Sequence, residues 1–151
     1  MRLLIVTIAL SVGAMFFQPA AGLAETLISE AEAKLPPSTD VGMTTRGLTR
    51  GPGIELVSPH SDRGMASPLP LKVNFIARNN VEIDPASVRV IYLKAQSVDL
   101  TDRVKKFLTA DGIDMANAEM PSGTHYLRIN LKDKQDRTST ATIKLVVAPI
   151  P

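Results

Sequence analysis

SGTHYLRINLKDKQDRTSTATIKLVV, Ser122 to Val147, holds two alternating runs around a knot of charge. Leu127, Ile129 and Leu131 alternate with Arg128, Asn130 and Lys132. Ala141, Ile143, Leu145 and Val147 alternate with Thr140, Thr142 and Lys144. Side chains of a strand point to opposite faces in turn, so a period of two marks a strand with one buried face. Two such runs joined by a polar loop predict an antiparallel hairpin, with DKQDR, Asp133 to Arg137, as its tip.

The same rhythm extends upstream. In LPLKVNFIAR, Leu69, Leu71, Val73, Phe75 and Ala77 share one face, and Lys72, Asn74 and Arg78 the other. SVRVIYLK places Val88, Val90 and Tyr92 inward, and its Ile91 and Leu93 make the second face apolar too, so this strand is expected to be covered on both sides. GIELVSP offers a strand from Ile54 to Val57, stopped by Pro59. VDLTDRVKKFL breaks the period: Thr101 is a candidate cap, and Val104, Phe107 and Leu108 lie on one helical face. Asp111-Gly112 is turn chemistry, with a short strand expected near Ile113 to Met115. Short strands recurring between turn signals predict an all-β fold, an antiparallel sandwich of about seven strands.

The ends divide the chain of 151 residues. Residues 1–24 pair one basic residue, Arg2, with an apolar run from Leu3 to Phe17 and end in Gly22-Leu23-Ala24. That is a secretory signal pattern, and its apolar run falls short of the roughly 20 residues that span a bilayer. Cleavage near Ala24 and export, periplasmic or secreted, are expected, leaving a soluble chain with no integral membrane segment. Residues 25–52 read as a flexible N-terminal arm: a possible short helix at Glu25 to Lys34, stopped by Pro36-Pro37, then small polar residues rich in glycine. Residues 53–149 make the folded domain. There is no cysteine, so stability comes from the core alone. The formal charge is only +2, Arg2 included, which argues against nucleic-acid or anionic-membrane binding.

In order, several short motifs resemble the bacterial immunoglobulin-like domains of exported proteins. They are the Ser-Pro ending LVSP, Asp84-Pro85-Ala86-Ser87 leading into SVRVIYL, and DLT at Asp99 to Thr101. Then come Gly123 to His125, the strand ending in LKD, and a final strand after Arg137. The resemblance covers roughly Gly53 to Ala148 and implies an immunoglobulin-like sandwich. In such domains the last hairpin usually carries glycine where Asp136 stands, and aspartate tolerates the left-handed backbone better than most residues. The resemblance also implies a structural corner at Gly123, His125 and Leu127, with His125 in the slot of a corner tyrosine that bonds nearby backbone.

Chemistry is sparse. Two histidines, His60 and His125, and no cysteine rule out zinc spacing. A soft copper site would draw on His60, His125, Met65 and Met120, with Met43 and Met115 also available. Exported copper carriers of the CopC type share a sandwich that SPH and SGTHY loosely resemble, but they use a histidine near the mature N-terminus, where Glu25 stands here, and an Asp-Gly-His turn late in the chain, where DKQDR stands. ADGID lacks the spacing of a calcium loop. No serine elbow or Ser-x-x-Lys pair is present, and no third glycine completes a dinucleotide loop at GPG. The expected function is therefore an exported, non-enzymatic immunoglobulin-like domain without cofactor. It would act as an interaction or structural module toward an unknown envelope protein. A periplasmic ligand or copper carrier is the alternative.

Overall fold

The computed structural model describes residues 23–42, 50–60 and 64–149. The expected signal segment lies outside these residues but for its last two, and Met43 lies outside them too.

The chain runs through β1 (Glu25–Thr26), helix α1 (Glu30–Ala33), a 3-10 turn (Thr39–Gly42), β2 (Gly53–Ser58), β3 (Met65–Ala66), β4 (Leu69–Ile76) and β5 (Ile83–Tyr92). It continues through β6 (Val98–Asp99), helix α2 (Thr101–Val104) with a 3-10 extension (Lys105–Phe107), β7 (Leu108–Thr109), β8 (Gly112–Glu119), β9 (Gly123–Asp133) and β10 (Thr138–Ala148). One sheet has the order β1-β8-β4-β2, with β7 also on β8; the other has the order β3-β10-β9-β5-β6. This is the mostly-β, sandwich-like architecture that the period-two pattern predicts.

Alternation explains the layers. Along β4 every second residue from Leu69 to Phe75 is buried, and the residues between are exposed. Leu127, Ile129 and Leu131 of β9 and Ile143, Leu145 and Val147 of β10 meet Val88, Val90 and Tyr92 of β5 and Ile113 and Met115 of β8 in one core. Burying each large aliphatic side chain contributes about 1.5–3 kcal/mol, which is what a chain without disulfides relies on. The β9–β10 hairpin keeps an unbroken antiparallel register from Lys132↔Thr138 to Gly123↔Val147. Irregularities interrupt the pairing of β5 with β9 between Asp84 and Arg89, of β2 with β4 between Leu56 and Ser58, and of β4 with β8 between Leu69 and Leu71. Leu93, just beyond β5, is buried, and Ile91 within it is half-buried.

Several expectations change. The segment over 25–42 is not a free arm. Leu27 and Ile28 are fully buried in the core, and β1 pairs in parallel with Ala118 and Glu119 of β8. Burial of this apolar pair offsets part of the entropy lost on ordering the segment, and the pairing with β8 and the bonds from Lys94 and Arg103 offset more of it. The helix expected at 25–34 shrinks to α1, because Ser29 and Glu32 close a reciprocal capping box that sets its start. The strand expected at Ile113 to Met115 lengthens to eight residues, because β8 is paired with β4 on one side and with β1 and β7 on the other. Such pairing overrides the weak strand preference of Ala116, Asn117 and Ala118.

Thr101 is at the expected helix start but does not cap it. Its hydroxyl accepts the backbone N–H of Val90 at 3.0 Å, and its own N–H donates to the Asp99 carboxylate at 2.8 Å.

Candidate functional site

The densest polar grouping lies where β5 and β9 meet the N-terminal segment. β9 turns His125 inward, and its residue is only 3 % exposed. Its Nε2 lies 2.8 Å from the Pro121 carbonyl oxygen, and its Nδ1 lies 2.9 Å from the Tyr92 hydroxyl. A carbonyl only accepts, so Nε2 carries the proton, and the Nδ1 lone pair accepts from Tyr92. Burial pushes the His125 pKa below 6.5, aided by the nearby Lys94 charge and opposed by the Pro121 bond. Burial, with the charge of Glu32, pushes Tyr92 up to about 12. Both groups are therefore neutral at neutral pH, and the pair is a closed hydrogen-bonded unit.

Around this pair two cations hold the N-terminal segment. Lys94 lies 5.2 Å from the centre of the Tyr92 ring, within cation–π range. Its ammonium donates to the Ala33 carbonyl at 2.7 Å and the Leu35 carbonyl at 3.1 Å, at the end of α1 where carbonyls lack helical partners. Arg103, on α2, donates to both carboxylate oxygens of Glu32 at 2.7 and 2.8 Å and to the Leu27 carbonyl at 2.8 Å. The Arg103 bonds hold the Glu32 carboxyl down to about 2, below its ordinary 4.5. Between the segment and the sheet lies a crevice of about 270 Å³ that includes Val41, Tyr92, Lys94 and Tyr126. That is slightly smaller than ordinary ligand pockets, which start near 300 Å³.

The candidates for a copper site are spread over different settings. His60 is exposed, just beyond β2. Met65 is half-buried in β3, beside Val147 of β10. Met120 is buried in the core after β8, and its N–H donates to the Ser67 hydroxyl. His125 has both ring nitrogens in hydrogen bonds, so a metal would have to displace Tyr92 or Pro121. Met43 lies outside the described residues. Among the described residues, no three His, Cys, Asp or Glu side chains converge as metal ligands. Gly123, at φ 135°, begins β9 two residues before His125, and Leu127 follows it into the core.

The charged tip of the last hairpin is built from inside. Asp133 is buried, and its carboxylate accepts the N–H groups of Gln135 and Arg137 and the Arg137 Nε. Burial alone would raise its pKa, but the bonds from Arg137 and Gln135 outweigh this and leave it lowered. Asp136 occupies the left-handed region at φ 58°. The aspartates of ADGID are also structural. Asp111 accepts the Phe75 N–H on its carbonyl, and Asp114 pairs with Lys72 at 2.9 Å.

Sequence reasoning missed the Tyr92–His125 pair and the Arg103–Glu32 clamp, because both join residues more than 30 positions apart. One local signal was present: Ser29-x-x-Glu32 is the capping-box spacing.

Comparison with protein-family models, with curated proteins and with solved structures finds no match.

Proposed function

We propose that this chain is an exported, non-enzymatic immunoglobulin-like domain protein that serves as a protein-interaction or structural module of the cell envelope. Strand order supports the fold part of this reading. β2, β4, β8 and β7 neighbour one another in the sequence A-B-E-D, and β10, β9 and β5 in the sequence G-F-C, the two sheets of an immunoglobulin sandwich. The β3 strand beside β10 and the β1 strand beside β8 are additions to that plan.

One observation carries the functional part. Among the described residues, every buried polar side-chain atom has a hydrogen-bond partner. His125, Tyr92, Glu32 and Asp133 are committed to holding the fold. Binding capacity then rests on the sheet faces and edges, the surfaces that sandwich domains offer to protein partners. Export rests on the N-terminal pattern, and Leu23, 92 % exposed just before β1, leaves the proposed cleavage point accessible.

The test is affinity capture from the envelope fraction with the tagged protein as bait, together with N-terminal sequencing of the exported form. A defined envelope protein retained in stoichiometric amount, and a first residue of Glu25, are the expected results. A cytoplasmic product with Met1 intact, or no retained protein, would overturn the proposal.

A further inference from the structure

The outward face of the β5–β9–β10 sheet carries an ordered row of cations. Cross-strand register sorts it into steps. Lys132 stands between Asp84 and Thr138, Asn130 between Arg89 and Thr140, and Arg128 between Ile91 and Thr142. Tyr126 stands beside Lys144. Each of the four steps holds one cation: Lys132, Arg89, Arg128 and Lys144. Successive steps are two strand residues apart, about 6.7 Å.

The acids on this face are turned to local backbone. The Asp84 carboxylate accepts from the Ala86 N–H, and the Asp99 carboxylate, on β6 beside Ile91, accepts from the Thr101 N–H. Asp136 reaches Lys132 only at 4.0 Å. Arg89 donates to the Ala86 and Val88 carbonyls, and its charge also acts on the Asp99 carboxylate across a shared crevice. Arg128 and Lys144 have no carboxylate partner among the described residues. The opposite sheet differs: its outward positions hold Glu55, Asp114 and Glu119 against Lys72, which pairs with Asp114. A chain of nearly balanced charge has thus gathered four cations on one face, two of which, Arg128 and Lys144, have no carboxylate partner among the described residues.

We infer that this face docks an acidic protein segment in extended conformation, with carboxylates at alternate positions. Alternate residues of an extended chain repeat at the same 6.7 Å or so, which brings one carboxylate to each cation step. The threonines and Asn130 between the cations offer donors and acceptors to the intervening groups. Charge complementarity of this kind sets partner choice and association rate more than raw affinity. The assignment rests on the interaction reading and names its surface.

The test uses a fluorescein-labelled peptide of alternating Glu and Thr, with fluorescence anisotropy on the purified protein. Binding is expected at low salt and weakens as salt rises toward ~0.15 M. Neutralising the face with Arg128→Gln and Lys144→Gln is expected to weaken it roughly tenfold at unchanged melting temperature. Lys72→Gln, on the opposite sheet, is expected to leave it unchanged. Equal weakening by both changes, or no binding at low salt, would overturn the assignment. So would preferential binding to phosphatidylglycerol vesicles, which would indicate a membrane surface instead. The two readings fail separately. An envelope partner captured equally well by the Arg128→Gln/Lys144→Gln protein overturns this face and leaves the interaction role standing.

Discussion

Replacing Leu27 by alanine removes three side-chain carbons from a site with no solvent exposure. The surroundings are rigid, because Arg103 holds the Leu27 carbonyl and the Leu27 N–H donates to the Glu119 carbonyl at 2.8 Å. A core Leu→Ala change costs about 2–5 kcal/mol, the upper part applying where the walls cannot collapse. For a folded unit of this size each kcal/mol lowers the melting temperature by about 4 °C, so a fall on the order of 10 °C is expected. The assay is thermal unfolding followed by circular dichroism, with urea midpoints as a check. Lys34→Ala is the internal control. Its side chain is 78 % exposed on the same segment, and a substitution there stays within about 0.5 kcal/mol. A shift for Leu27→Ala as small as that of the control would refute the reasoning, since it would mean the segment is an arm that the sandwich does not need.

Arg103→Ala is expected to lower stability by about 1–3 kcal/mol at neutral pH, because it strands Glu32 and the Leu27 carbonyl. The depressed Glu32 pKa stabilises the fold fully above about 4.5, and this contribution is lost as pH falls toward about 2. Urea midpoints should converge for wild type and Arg103→Ala across that window, and a constant gap would contradict the clamp. Gly112→Ala is expected to prevent folding or lower the melting temperature sharply, since Gly112 has φ 148° and a Cβ there would collide with the Val73 carbonyl. An unchanged melting temperature would show that β4 and β8 do not approach so closely. Tyr92→Phe leaves the His125 Nδ1 without a partner and is expected to cost about 1–3 kcal/mol, read by urea unfolding. His125 is buried neutral, so its share of stability is present above about 6.5 and falls away below it; a His125→Gln protein should lack that slope. Stoichiometric copper should leave the wild-type melting temperature in place, and a rise would favour the carrier reading.

The pieces that sequence resolved well are those where one period describes a whole element. β4 from Leu69 to Phe75 and the β9–β10 hairpin largely follow their alternation, because each has one face on the core; Ala77, expected inward, lies past the end of β4 and is exposed. Where burial comes from several sides, the pattern misleads. β8 carries weak strand formers in its second half yet is held on both edges, so its length reflects neighbours and not its own residues. The N-terminal segment shows the same limit: ETLIS has too few residues for a period to emerge, while Leu27 and Ile28 are among the most buried in the fold.

The candidate site divides along the same line. Composition sufficed to exclude cysteine chemistry, and the alternation on either side sufficed to place DKQDR at a hairpin tip. The inward turn of Asp133 and the left-handed Asp136 belong to the closed turn. The state of His125 was legible only in part: Pro121, four positions earlier, fixes its tautomer, but its neutrality comes from burial by the packed sheets and its second partner is Tyr92, 33 positions earlier. Likewise the row of cations is four scattered basic residues until register aligns three strands. Local periodicity reports which way a side chain points. Only the packed sheets bring distant residues within hydrogen-bond reach, and that proximity decides whether they hold the fold or face a partner.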